Sequence, residues 1–151
     1  MNNVVPPWTV GDPSAFDRAE LVLPPHGADT PGTRESLAKY LAEIAHMDMQ
    51  VGDILKALEA EDQADRTVAV FTSEQGGQWP GCKWTNWNQG LHTALIVRWP
   101  GRVAPGAKTD ALVQYADILP TFLDIAGGKP EALDLDGRSF LRVLTGESDT
   151  H

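Results

Sequence analysis

A carboxylate, a carboxamide and two glycines directly follow a short run of β-branched and apolar residues. The run covers residues 67–72, and Ser73, Glu74, Gln75 and a Gly-Gly pair come next. In α/β sheets, ligands gather outside the carboxyl ends of the strands, so a binding site is expected here first. The oxygen atoms of Glu74 and Gln75 are hard ligands that suit Ca²⁺ or Mg²⁺ better than zinc. A polar turn that only ends a strand has the same composition. On spacing alone, such a turn is a more common interpretation than a metal site.

A lysine flanked by a cysteine and a tryptophan lies a short distance further along the chain. Lys83 belongs to a segment, residues 81–92, that also contains two tryptophans and ends in His92. A cation on a loop after a strand can bind an anion, although a solvated surface lysine is the commoner case. His92 could donate a proton or contact the same anion, or serve as a structural hydrogen bonder. Cys82 has no base at a readable spacing and is not predicted to be a nucleophile.

The hydrophobic pattern predicts a long helix ahead of these residues. Between residues 33 and 61, apolar side chains recur three or four positions apart, which is typical of one face of an amphipathic helix. Thr33 is predicted to cap its amino end. Gly52 costs helix stability, so we expect it to permit a close contact. Residues 1–32 are rich in Pro and Gly and are predicted to be irregular, with one possible short strand at residues 20–23.

Strands and shorter helices are predicted to follow. Apolar, β-branched runs predict strands at residues 67–72 and 95–99, each buried on at least one face. Helical spacing recurs at residues 117–126 and 138–144. This order is typical of an α/β protein with a mostly parallel sheet. Two or three strands are too few for a stable open sheet of that kind, so we expect the chain alone to be marginally stable.

Composition narrows the class of protein. The 151 residues amount to about one domain. The net charge of −9 argues against binding along a nucleic acid backbone. No apolar run approaches the ~20 residues of a membrane span. The chain does not open with a secretory signal, so a periplasmic or extracellular location would require a signal peptide in a missing amino-terminal part; otherwise the expected location is cytoplasmic.

Several ordered motifs resemble those of the sulfatase family of the alkaline-phosphatase-like superfamily. The matching segments are residues 47–55, 71–76, 83–85, 95–101, 115–127 and 136–140. The Ser-Glu-Gln-Gly and Lys-Trp-Thr variants resemble the branch of heparan N-sulfatases most closely. The resemblance implies an α/β fold: a partial alkaline-phosphatase-like sheet with flanking helices that lacks the amino-proximal part of the domain. It implies an irregular segment at 1–32, a carboxy-proximal catalytic part at 33–146 and a tail at 147–151.

The same resemblance assigns roles to four side chains. Glu74 and Gln75 occupy the positions of the family's Ca²⁺ ligands, with Glu longer than the usual Asp. Lys83 matches the lysine that contacts the sulfate oxygens. His92 falls where the family usually has Arg, and it is a candidate catalytic residue. The family's nucleophile, a formylglycine made in a Cys/Ser-x-Pro/Ala-x-Arg motif, has no counterpart in the sequence, so this chain is expected to be inactive by itself.

The implied function is hydrolysis of sulfate esters or sulfamates on a sulfated small molecule or glycan by the intact enzyme. Two alternatives stay open. One is a non-catalytic remnant that binds a metal or a sulfated glycan without turnover. The other is a phosphohydrolase, because the same scaffold also handles phosphate. The sequence gives no oligomeric state.

Overall fold

The computed structural model describes residues 6–25 and 27–151. The chain forms two compact units, one of Met1–Ala64 with Phe71–Leu95 and the other of Asp65–Val70 with Ile96–His151. The division of the chain at residues 32 and 146 remains a prediction. The helices and strands are α1 (Pro31–Ala60), β1 (Ala69–Thr72), α2 (Asn88–Leu91), β2 (Leu95–Arg98), α3 (Ile118–Ile125) and α4 (Leu141–Leu144). Four 3₁₀ turns complete the described part: Pro13–Ala15, Ala64–Arg66, Tyr115–Asp117 and Pro130–Ala132.

The two predicted strands are present and pair with each other. They form a two-stranded sheet and are slightly shorter than predicted, at 69–72 and 95–98. Just beyond β1, Ser73 extends the pairing, because its N–H donates to the Ala94 carbonyl at 3.2 Å and its Oγ accepts from the Ala94 N–H at 3.0 Å. The strands are half-buried, and Ile96 is 62% exposed. Helices with so small a sheet form only part of an α/β fold.

The long helix begins earlier than its sequence suggests. Its first residue is Pro31 and its cap is Thr30, whose Oγ1 accepts from the Thr33 N–H at 3.1 Å, so the prediction of Thr33 as the cap was wrong. A proline is tolerated at the first helical position because its missing N–H would have no helical partner. Residues 20–23 do not form a strand.

The apolar stripe of α1 is buried at its amino-terminal end. Leu37, Ala38 and Ala42 are buried, whereas Met49 and Ile54 further along are more than half exposed. The expected close contact at Gly52 was wrong, since a Cβ added there would meet nothing within 4 Å.

The irregular segment before α1 is fastened to the helix through a buried carboxylate. Glu43 is 6% exposed and accepts hydrogen bonds from the N–H groups of Val10, at 2.6 Å, and Gly11, at 3.3 Å. The Val10 amide is the main reason why the pKa of Glu43 lies below its usual value. The backbones approach closely, because a Cβ on Gly11 would lie 2.2 Å from the carbonyl of Ala42. This segment therefore belongs to the same compact unit as α1.

A second buried carboxylate organises the other unit. Asp117 is 2% exposed and accepts from the N–H groups of Gln114, at 2.8 Å, and Arg138, at 2.9 Å. The Nε2 of His151 lies 3.1 Å from its Oδ2. Burial on its own raises the pKa of Asp117, but the two amides and His151 together hold that pKa below its usual value. The carboxylate thus joins the start of α3, the Arg138 loop and the last residue of the chain.

The predicted helices of this unit are present in shortened form. α3 covers 118–125 instead of 117–126, and α4 covers 141–144 instead of 138–144. Thr121 links them, because its Oγ1 donates to the Asp117 carbonyl at 2.6 Å and accepts from the Phe140 N–H at 3.0 Å. The apolar core here is small, and its buried residues are Pro120, Phe140 and Val143.

We predict that Asp117→Asn destabilises the protein in a pH-dependent way. Asparagine offers one acceptor oxygen, whereas the buried carboxylate of Asp117 accepts from two backbone amides with both of its oxygens, so the loss at pH 7 should be about 1–3 kcal/mol. Because the folded-state pKa of Asp117 is lowered, its stabilisation is complete above the unfolded-state pKa of ~3.9 and is lost as the pH falls through the folded-state pKa. Urea unfolding at pH 7 and pH 3 measures the loss of stability and its dependence on pH. Asp110→Asn, at an exposed position, is the control. An equal loss at the two pH values would contradict the role of the charge.

Candidate functional site

A loop between β1 and α2 holds Lys83 through its own backbone. The Lys83 N–H donates to the Gly77 carbonyl at 3.2 Å, and the Cys82 N–H donates to the Trp79 carbonyl at 3.0 Å. Thr85 closes the next turn, since its N–H and its Oγ1 both donate to the Cys82 carbonyl, at 3.2 and 2.6 Å. These bonds fix the backbone on both sides of Lys83.

The short helix α2 packs against this loop through a buried glycine. A Cβ on Gly90 would lie 2.3 Å from the Thr85 carbonyl oxygen and 2.6 Å from that of Cys82. Gly76, whose φ is +29°, approaches the Gln89 carbonyl in the same way, at 2.4 Å from an added Cβ. The loop and α2 are therefore packed backbone to backbone, and any side chain at Gly90 would push the loop away.

Three aromatic rings support the start of the loop against α1. Trp8 and Trp79 stack with their ring centroids 5.9 Å apart, and Tyr40 meets both rings edge-on. Burial raises the pKa of Tyr40, and the nearby Cys82 adds to the rise. Gly77 is buried beside Trp79 and Tyr40. The loop that carries Lys83 is thus anchored on the long helix.

The structure brings Glu74 and Lys83 into direct contact. The Lys83 Nζ lies 2.5 Å from Glu74 Oε2. The lysine side chain is only 10% exposed, whereas that of the glutamate is 53% exposed. Glu74 lies two residues beyond the last residue of β1, as the sequence pattern indicated. A nearly buried ammonium therefore meets a carboxylate that remains open to solvent.

The other two candidate residues are less closely engaged. Gln75 is half-buried beside Glu74 in the chain. His92 ends α2 and is exposed, and its side chain makes no hydrogen bond or ion pair with any residue that the structure describes. The roles assigned to both residues remain predictions.

The oxygen atoms of Glu74 and Gln75 are of the type that a hard cation binds, but two residues do not complete a coordination shell. The carboxylate of Glu74 and the amide oxygen of Gln75 are the oxygens that Ca²⁺ prefers, and Glu74 is accessible. Ca²⁺ takes about six to eight oxygen ligands. Within residues 6–25 and 27–151, no group of three or more His, Cys, Asp or Glu side chains could hold a metal ion. These two residues would therefore supply part of a coordination shell.

Sequence reasoning overlooked two exposed tryptophans beside the site. Trp84 is 76% exposed and Trp87 is 59% exposed, and both follow Lys83 on the same loop. The alternation of tryptophans with amide residues in 84–88 was the available signal.

Comparison with known proteins identifies the family. The family model for sulfatases matches residues 10–128. An ulvan-active sulfatase from Formosa agariphila is 36% identical over 111 residues, covering 73% of this chain and 21% of the relative. Human N-sulphoglucosamine sulphohydrolase is 30% identical over 154 residues, covering 95% and 30%. The chain belongs to the sulfatase family of the alkaline-phosphatase-like superfamily, as its motifs indicated.

A solved structure agrees with this placement. The phosphonate monoester hydrolase from Silicibacter pomeroyi matches with a TM-score of 0.69 and 32% identity, covering 90% of this chain and 28% of that one. The expected fold, part of an α/β alkaline-phosphatase-like domain, is thereby confirmed. The chain spans between about a fifth and a third of the length of these three proteins. Within the described residues, no helix is both long and apolar enough to cross a membrane.

We predict that Gly90→Ala destabilises the loop that carries Lys83. The added methyl group would overlap two backbone oxygens, so unfolding should become easier by about 1–3 kcal/mol. Gly52→Ala is the matched control, because its methyl group meets nothing within 4 Å in the middle of α1 and should stabilise by about 1 kcal/mol. Thermal and urea unfolding compare the two variants. Equal effects would contradict close packing at Gly90.

Proposed function

We propose that this chain supplies the sulfate-binding part of an active site that hydrolyses sulfate esters or sulfamates of carbohydrates. In this proposal Lys83 contacts the sulfate oxygens, and Glu74 and Gln75 provide oxygen ligands for Ca²⁺. The supporting observation is the 2.5 Å ion pair between Lys83 and Glu74 on a fixed loop. It puts one cationic group and one open carboxylate within reach of the same small, charged ligand.

The ion pair explains how an anion could bind at a lysine that already has a partner. While Glu74 neutralises Lys83, a sulfate group has to compete with a carboxylate for the same ammonium. A divalent cation on the exposed carboxylate would neutralise Glu74 and leave the ammonium available. Binding of the cation and of the sulfate should therefore reinforce each other.

When bound, Ca²⁺ would polarise the sulfate group and stabilise developing negative charge. Lys83 would orient the sulfate group as a point charge that needs no fixed bond direction. Gln75 would act as a neutral ligand of the cation beside Glu74. His92 is proposed as a second polar contact at the end of α2. By family resemblance the attacking group is a formylglycine, and its motif is not among the 151 residues.

A phosphorus substrate is the second candidate. The similarity to a phosphonate monoester hydrolase favours it, since an ammonium binds tetrahedral oxyanions of sulfur and phosphorus alike. A non-catalytic role in binding a metal or a sulfated glycan is the third.

We predict that Ca²⁺ raises the affinity of the chain for inorganic sulfate by about five-fold or more, since typical couplings span ~5–150-fold. Glu74→Gln should bind sulfate more tightly than the wild type without Ca²⁺ and should lose most of the calcium effect, because Lys83 is already released. Lys83→Met should abolish sulfate binding. Titration calorimetry at constant ionic strength measures all three proteins.

The control for this titration is Lys56→Met. Lys56 forms an ion pair with Asp53 on the outside of α1, at 3.3 Å and with both side chains more than half exposed. This variant should bind sulfate and Ca²⁺ as the wild type does. Sulfate affinity that is independent of Ca²⁺ and of Glu74 would contradict the proposal.

We also predict that residues 1–151 alone hydrolyse neither an aryl sulfate nor an aryl phosphonate with Ca²⁺ present. Binding groups cannot replace a nucleophile that the sequence does not encode. Product release is followed by absorbance, with Lys83→Met measured in parallel. Turnover by the wild type that Lys83→Met lacks would show that another residue acts as the nucleophile.

A further inference from the structure

The loop that carries Lys83 exposes two large aromatic side chains to solvent. Trp84 and Trp87 are 76% and 59% exposed, whereas the other three tryptophans, Trp8, Trp79 and Trp99, are at least partly buried. An exposed indole presents a wide apolar face to water, and neighbouring exposed apolar groups mark ligand or partner sites. The exposure is thus concentrated beside the one lysine placed at the candidate site.

Trp84 is also held in a backbone conformation that a bulky residue rarely adopts. Its φ is +68°, in the left-handed region that favours glycine. The surrounding hydrogen bonds impose it, because Thr85 is fixed to the Cys82 carbonyl and α2 packs against both. Residues held in such conformations concentrate at ligand sites. The packing of the loop does not explain why a tryptophan occupies this position, because its ring lies in solvent.

Amide side chains alternate with the two rings. Asn86, Asn88 and Gln89 are exposed on the same stretch of chain. Such a surface combines flat apolar area with donors and acceptors at its edge. A pyranose ring has the complementary form, with C–H groups on its faces and hydroxyl groups around its rim.

We propose that Trp84 and Trp87 form a stacking platform for the sugar ring that carries the sulfate group, with Asn86 and Asn88 hydrogen-bonding its hydroxyls. This deepens the proposed function and rests on it. Lys83 and Trp84 are consecutive, so their Cα atoms are ~3.8 Å apart, while a sulfate group lies one ester or sulfamate linkage from its ring. In this proposal a single sugar contacts the ammonium through its sulfate and an indole through its ring.

The test compares three probes on the full 151-residue chain. These are a sulfated disaccharide, its desulfated counterpart and inorganic sulfate, and a steroid sulfate serves as a comparison ligand without a sugar. Trp84→Asn removes the ring while keeping a residue that tolerates positive φ, so the fold of the loop is retained. We expect it to weaken binding of both disaccharides about ten-fold, the loss of one stacked ring, with sulfate affinity changed less than two-fold.

Three further variants complete the design. Trp84→Tyr keeps an aromatic face and should retain disaccharide affinity within about three-fold of the wild type. Leu112→Asn removes a 91% exposed apolar side chain far along the sequence and should change nothing. Trp87→Ala should weaken both disaccharides as Trp84→Asn does.

The outcomes separate this inference from the proposed function. Unchanged disaccharide affinity in Trp84→Asn would overturn the platform, whatever Lys83 does. If Lys83→Met leaves sulfate affinity unchanged, the proposed function fails, while the desulfated disaccharide still reports on the tryptophans. A steroid sulfate that loses as much affinity as the disaccharide in Trp84→Asn would overturn the assignment to a sugar, since any apolar ring would then suffice.

Discussion

The ion pair between Lys83 and Glu74 joins the end of β1 to the loop that precedes α2. Other contacts in the same compact unit position the end of β1, which carries Glu74, and the loop, which carries Lys83. Ser73 fixes the end of β1 to Ala94. The stacked rings of Trp8 and Trp79 hold the start of the loop on α1. A lysine that is 10% exposed would be costly without a partner, because a charge removed from water must be compensated. A nearly buried ammonium therefore requires the carboxylate beside it, and under the proposed function an incoming anion would have to compete with Glu74.

The sequence revealed the order of elements better than their boundaries. Both strands and the long helix follow from hydrophobic periodicity, which depends on local spacing. The cap was misplaced by three residues, because Thr30 and Thr33 are equivalent as residue types and only the backbone shows that Pro31 starts the helix. The position of Glu74 just beyond β1 follows from the strand pattern, whereas its direct contact with Lys83 is seen only in the structure. The role of Glu43 was not anticipated, because its partners are amides of Val10 and Gly11 more than 30 positions away, and a backbone donor leaves no mark on the sequence.

Both units depend on a buried carboxylate that accepts backbone N–H groups. Glu43 does this for the segment before α1, and Asp117 does it for the loop before α4. Few apolar side chains are buried, while fourteen large ones are exposed among the described residues. Because so few apolar side chains are buried, these polar contacts help to determine where each segment lies. Such bonds are directional, so they specify where a segment lies even where they add little to stability.

The pairing of Lys83 with Glu74 also bears on how a sulfated glycan would approach. Acidic residues of this chain outnumber basic ones by 21 to 12, and under the proposed function Lys83 stays paired with Glu74 until a metal ion binds. At distances beyond the Debye length, ~8 Å at physiological ionic strength, a polyanion would meet weak net repulsion and no guiding attraction. Encounter would then become faster as salt screens that repulsion, the reverse of the behaviour of basic proteins that capture polyanions. Recognition would be decided within contact distance, by the lysine and the groups next to it.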